Sequence, residues 1–347
     1  FQFKVSTEVG MHALTVGYRD MEDSESRYQE YECFDQSASG VNSALYSCGT
    51  GYTGSNNRLR ESEATSYYIE DKITLGDLVV TIGHRSEEYD QVENRWDDGT
   101  PTRTQLNSSY PKTKDGDYTS TGFGATYDLN ENMQLVAGFH EGMTAMFGAD
   151  PETADNMELG LRYSEGISDL EVFYFQSDYE SLKAACTNSQ GGACDDGDIF
   201  DGGAVDVSGV EVSGSMILEG DNGTSYPIGL TYTSTDASFA NSFDDDGEYW
   251  GVVAAGDDVP YVPDSSLALV AGFVSSNGLS GNVRWVKNGS ACSTAACGTN
   301  QTIDAHSFVD VNLRKALNEN VDIYIGVENL LDDEDVVARA PKDGARS

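Results

Sequence analysis

The sequence predicts an all-β protein, a transmembrane antiparallel β-barrel of about fourteen strands. Three observations lead there. Apolar and polar residues alternate with period two along segments of ten residues or more. The connections between these segments are short and long in strict alternation. No apolar stretch approaches the roughly 20 residues of a membrane-spanning helix, the longest being LALVAGFV at 267–274.

The alternation is plain along the chain. In ALTVGYR, Leu14, Val16 and Tyr18 alternate with Thr15, Gly17 and Arg19; in LVVTIGHR, Leu78, Val80 and Ile82 alternate with Val79, Thr81, Gly83 and Arg85. Leu159, Leu161 and Tyr163 oppose Glu158, Gly160 and Arg162, while Ile228, Leu230 and Tyr232 oppose Gly229, Thr231 and Thr233. Val309, Val311 and Leu313 oppose Asp310, Asn312 and Arg314, and Ile323, Ile325 and Val327 oppose Asp322, Tyr324, Gly326 and Glu328. A soluble sandwich alternates too, but its strands are about 5 to 6 residues long and their apolar face is packed inside. A bilayer requires tilted strands of roughly 9 to 11 residues, with the apolar face toward lipid and the polar face toward the lumen.

Short turns fall near 8–12, 75–78, 128–132, 164–169, 220–225, 275–279 and 317–320. Long polar connections fall near 33–56, 96–117, 142–154, 180–204, 236–264 and 288–304, with 330–347 trailing. Seven hairpins give fourteen strands. Short periplasmic turns and long extracellular loops are the arrangement of a bacterial outer-membrane barrel, so the first strand is expected to descend and the last to rise.

Composition agrees. Gly (37), Tyr (19) and Phe (13) are plentiful and Pro (7) scarce, which suits aromatic strands joined by polar turns. A net charge of −39 argues against a nucleic-acid partner. The opening FQFKVSTEVG has no basic segment followed by an apolar core and no initiator Met, so the N-terminus is expected to be a cut. Cys33 and Cys48 share one long connection, Cys186 and Cys194 a second, Cys292 and Cys297 a third. Each pair reads as a local disulfide of an oxidising compartment. Zinc is the competing reading, disfavoured by four His and no two-pair Cys cluster. The acidic stretches at 194–203 and 243–249 lack the full spacing of a twelve-residue calcium loop.

With the strands placed, the residues resemble a known family. ADNMELGLRYSEGISDLEVFYFQSDYESL (154–182), VEVSG (210–214), VPYVPDSSLALVAGF (259–273) and FVDVNLRKALNENVDIYIGVENLLDDEDVVARAPKDGAR (308–346) are similar to TonB-dependent outer-membrane receptors, nearest to the ferric-citrate type. The match is segment by segment over the C-terminal two thirds and in strand rhythm only over 1–130. Such receptors have about 22 strands around a plug. The resemblance therefore implies that residues 1–347 are a partial barrel domain, comparable to about strands 8 to 21, with the plug, the coupling box and the first seven strands absent. It implies import of a ferric siderophore or ferric-citrate-like complex, driven through the TonB–ExbB–ExbD energy-coupling complex by way of the plug. Outer-membrane lipid and lipopolysaccharide would surround the wall. A passive fourteen-stranded porin is the alternative.

Five arginines share lumen parity: Arg19, Arg85, Arg162, Arg284 and Arg314. They are expected to pair with lumen carboxylates such as Glu158, Asp310 and Glu328, or to hold a plug. Arg58, Arg60, Arg85 and Arg95 lie toward the outer mouth, where they would grip anionic carboxylate or catecholate ligands of a ferric complex. His140, in GFHEGM, is either a ligand contact or a polar strand-end residue. An enzyme is not expected. The chain carries no nucleophile elbow, no helical pair of metal-binding His and no phosphate loop, and no cofactor is implied.

Overall fold

A computed structural model describes residues 1–29, 32–33, 35, 37, 43–47, 54–97, 102–147, 149–185, 199–220, 223–244, 252–298 and 300–339. The strands run β1 (Gln2–Val9), β2 (His12–Tyr28), β3 (Glu32–Cys33), β4 (Tyr46–Ser47), β5 (Gly54–Leu75), β6 (Leu78–Trp96), β7 (Lys112–Asn130) and β8 (Met133–Thr144). They continue with β9 (Glu152–Glu165), β10 (Ser168–Tyr179), β11 (Lys183–Ala185), β12 (Ile199–Asp201), β13 (Val205–Glu219), β14 (Thr224–Phe239), β15 (Phe243–Asp244) and β16 (Val252–Val253). The last are β17 (Ser265–Ser275), β18 (Leu279–Asn288), β19 (Ala291–Cys292), β20 (Thr302–Ile303), β21 (His306–Asn318) and β22 (Val321–Val327).

Fourteen of these form one sheet in the order β1-β2-β5-β6-β7-β8-β9-β10-β13-β14-β17-β18-β21-β22. The other eight make four two-stranded ribbons inside the long connections, β3 with β4, β11 with β12, β15 with β16 and β19 with β20. Pairing is antiparallel with tight hairpins, from Val9↔His12 out to Gln2↔Arg19 in the first and from Ser168↔Glu165 to Tyr179↔Ala154 in the fourth. All seven predicted turns are present. Five of them turn on a glycine in the left-handed region, Gly10, Gly76, Gly166, Gly223 and Gly278. Tight hairpin turns need positive φ, which costs glycine nothing.

The chain divides into two compact units, one made of Phe1–Asp71, Gly83–Thr121 and Met143–Pro151, the other of Lys72–Ile82, Gly122–Gly142 and Glu152–Ser347. In the second unit the long connections are less polar than their sequence suggests. Val205, Phe239, Val253 and Ala295 are buried together, with Tyr179, Leu182, Val207, Phe243 and Val259 against them. The outer ends of β13 and β14 supply the first two, and the β15–β16 and β19–β20 connections the others. Backbone bonds join the same segments, Ala240 N–H to the Ala204 carbonyl (2.9 Å) and Tyr261 N–H to that of Cys292 (2.7 Å).

Along the strands the two faces separate as the alternation predicts. Phe123, Leu159 and Ile325 are 57%, 58% and 59% exposed on the apolar face, which would be buried in a soluble sandwich. On the polar face Arg162 meets Glu171 (3.0 Å), Arg284 meets Asp310 (3.4 Å) and Arg314 meets Asp322 (2.6 Å). Arg19 donates to the Met21 sulfur (3.0 Å). Of the carboxylates expected as partners, Asp310 takes that role.

Cys292 and Cys297 are disulfide-bonded beside the β19–β20 ribbon. The pairs Cys33–Cys48 and Cys186–Cys194 involve residues outside those described, as do most of the acidic stretches. Non-reducing peptide mapping should recover all three local pairs, and a peptide joining two different connections would refute the loop assignment. A second expectation concerns Gly209, which lies opposite Phe175 and Thr235. A Cβ there would overlap the Ser234 carbonyl oxygen and the Phe175 ring. Gly209→Ala should therefore destabilise the sheet by about 1–3 kcal/mol, read as a fall in the thermal midpoint in detergent. Adding Phe175→Ala should not restore it, because the obstruction includes backbone.

Candidate functional site

The first unit gathers charged side chains at the outer ends of β2, β5 and β6. On β6 the alternation carries Tyr89, Gln91, Glu93 and Arg95 to the buried face and His84, Ser86, Glu88 and Asp90 to the exposed one. Strand geometry alone does this, since successive side chains point to opposite faces. Burial comes from the connections that fold over this face. The Arg60 guanidinium lies 5.0 Å from the centre of the Phe147 ring and that of Arg95 5.0 Å from the Tyr110 ring.

Arg58, only 9% exposed, forks onto Glu25 with donor–acceptor distances of 2.9, 3.0 and 3.2 Å. Arg60 bridges two acids, 3.6 Å from Glu25 and 3.3 Å from Glu93. Glu93, 2% exposed, also accepts from Arg95 at 2.5 Å. Three cations thus share two carboxylates, Glu25 and Glu93. Such pairs are held by geometry and mutual attraction against the cost of leaving water, so removing one member strands its partner.

Of the residues singled out in the sequence, Arg58, Arg60 and Arg95 are brought together here. Arg85 stands apart from them, its Nε on Glu87 (3.0 Å) and a terminal nitrogen on Ser66 Oγ (3.1 Å). His140 belongs to the second unit, on β8 opposite Gly122, and its carbonyl accepts from Asn156 Nδ2 (3.3 Å). Among the described residues its ring has no hydrogen-bond partner. The arginines are therefore not bare cations in a mouth. Each already holds a carboxylate.

The two acids differ in how readily they can yield. The Glu25 side chain is 47% exposed and can move aside into solvent, while that of Glu93 is sealed. An anion arriving at Arg58 and Arg60 would exchange with Glu25 and leave Glu93 in place. Glu25 and Glu93 were not singled out in the sequence, although strand parity places Glu25 with Arg19 and Arg27 and Glu93 with Arg85 and Arg95. Asn57 and Arg103 were not legible, because they meet only once the β6–β7 connection has folded back. Arg103 donates from Nε to Asn57 Oδ1 at 3.0 Å.

Removing Glu93 should be costly. Glu93→Ala leaves Arg60 and Arg95 without that acid and should destabilise the protein by about 3–5 kcal/mol, measured by denaturant or thermal unfolding in detergent. A loss below about 1 kcal/mol, the scale of exposed pairs, would show that the cluster is effectively solvated.

Residues 1–330 match the family model for the TonB-dependent receptor-like β-barrel. Among solved structures, the ferric-catecholate import receptor Fiu from E. coli K12 superposes at a TM-score of 0.70 with 17% identity, over 99% of this chain and 51% of that one. The siderophore receptor PiuA from Acinetobacter baumannii gives 0.68 and 16%, over 99% and 53%. The ferric citrate transporter FecA in its unliganded form gives 0.68 and 18%, over 96% and 49%. The chain thus spans about half the length of the solved structures it matches. At such identities the likeness shows the fold alone, and the family model carries the assignment. Barrels of this family sit in the bacterial outer membrane, and its members are receptors and transporters. The chain belongs to the TonB-dependent receptor β-barrel family.

Proposed function

We propose that this chain forms barrel wall of an outer-membrane receptor that imports a ferric complex of an anionic chelator, of the siderophore or ferric-citrate kind, powered by the TonB–ExbB–ExbD complex. The observation that carries the reading is the buried arginine cluster of the first unit. Arg58, Arg60 and Arg95 present planar forks suited to carboxylate and catecholate oxygens, and one of their two acids is free to leave. Citrate- and catechol-bound iron offers several such oxygens at once. Fiu, a ferric-catecholate import receptor, PiuA, a siderophore receptor, and FecA, a ferric citrate transporter, point the same way. Arg85 is a secondary contact in this reading, and His140 a peripheral one.

A passive porin is the second reading, favoured by the fourteen strands of the sheet, an even number. Energy coupling separates the two. Cells expressing the protein from its native gene should grow on ferric citrate only while the inner-membrane coupling complex is active, and growth without it would favour the porin. The site is tested by removing an ion pair whole. Arg58→Gln with Glu25→Gln leaves no orphan charge, so the thermal midpoint should hold while affinity for ferric citrate falls at least tenfold, about 1.4 kcal/mol. Unchanged affinity would remove Arg58 from the site.

A further inference from the structure

Beyond β6 the chain doubles back on itself. Trp96 and Leu106 form an isolated bridge, Asp97 N–H donates to the Gln105 carbonyl (2.9 Å) and Asn107 N–H to that of Arg95 (2.8 Å). Within this fold Arg103 adopts φ 52°, a left-handed conformation uncommon for a residue with a side chain. That conformation goes with an inward guanidinium. Its Nε donates to Asn57 Oδ1 (3.0 Å), and one terminal nitrogen donates to the carbonyls of Arg27 (3.0 Å) and Arg58 (2.9 Å). The guanidinium carbon lies 4.8 Å from the centre of the Trp96 ring.

Every acceptor here is neutral. Among the described residues Arg103 meets no carboxylate, unlike Arg58, Arg60, Arg85 and Arg95, and Asn57 is 0% exposed. The contacts close a ring. Arg103 holds the Arg27 carbonyl on β2; two residues back along β2, Glu25 accepts from the Arg58 side chain; and the Arg58 carbonyl on β5 returns to Arg103. The ladder between β2 and β5 sets their register; the ring adds a side-chain tether at their outer ends, where Glu25 meets Arg58. We infer that Arg103 is a positioning residue: it fixes the spacing at which Glu25 meets Arg58, and so presents Arg58 and Arg60 to the ligand without touching it. This rests on the reading that Arg58 contacts the ferric complex.

Lysine keeps the charge but lacks the planar fork that reaches three acceptors, and methionine keeps the stem over Trp96 without donors. Purified full protein in detergent would be compared as wild type, Arg103→Met and Arg103→Lys, with ferric citrate as probe. Both variants should bind at least tenfold more weakly. Arg103→Met added to Arg58→Gln with Glu25→Gln should cause no further loss, because the two changes act on one contact. Full binding by Arg103→Lys, or losses that simply add, would overturn the inference and make Arg103 a charge felt directly by the ligand. Hydrogen exchange without ligand is the independent arm. Amides of residues 24–28 and 57–60 should exchange at least tenfold faster in Arg103→Met, while 158–163 stay unchanged. Equal exchange at the first two segments would refute the positioning role. Wild-type protein that fails to bind ferric citrate would instead defeat the functional reading, and the exchange result would still decide whether Arg103 holds Arg58.

Discussion

The structure depends on a constraint from the solvent in which it works. Hydrocarbon offers no hydrogen bonds, so every backbone N–H and C=O crossing it must find a partner on a neighbouring strand. An antiparallel ladder between sequence-adjacent strands meets that demand with the shortest connections, and positive-φ glycines make five of its hairpins tight. Period-two patterning follows. Once a strand is locked to its neighbours in register, its residues have two faces, and a slip of one position would exchange them all. Phe123, Leu159 and Ile325 on one side and the pairs of Arg162, Arg284 and Arg314 on the other are the outcome.

Freed from lipid, the outer ends of the strands obey different rules. There both faces can be polar, and the buried one in the first unit is filled by arginines and acids under a cover of Phe147, Tyr110 and Trp96. The stoichiometry of three arginines to two carboxylates is what makes the cluster suited to an anion. Glu93 is deeply enclosed, whereas Glu25, held by the Arg58 fork and a longer contact to Arg60, is half open to solvent. In the binding mode proposed above, an incoming anion would exchange with Glu25 at prearranged forks. That keeps the arginines folded in the empty protein and avoids an unpaired buried charge at any stage.

Much of this was legible in the residues, and the limits have a physical cause. Turns and faces are local properties: Gly10, Gly76 and Gly166 punctuate the chain where the alternation stops, and Arg85 and Arg95 share parity because they are an even number apart. What could not be read is contact between segments distant in sequence. Glu25 and Arg58 are 33 residues apart, Arg27 and Arg103 are 76 apart, and no periodicity links them. The same holds for Val205, Phe239, Val253 and Ala295, which sit in or beside connections that read as polar loops yet form a core. Arg103 is the clearest case. In PTRTQ it is an ordinary loop arginine, and only the folded connection shows its donors divided between two strands.

The most direct test of the account is an experimental structure of the protein in lipid nanodiscs with ferric citrate bound. Ligand density is expected against Arg58 and Arg60 on the polar face, with Glu25 swung away, Glu93 still joined to Arg95, and lipid against Leu159 and Ile325. Ligand bound elsewhere while the Arg58–Glu25 fork stays closed would contradict it.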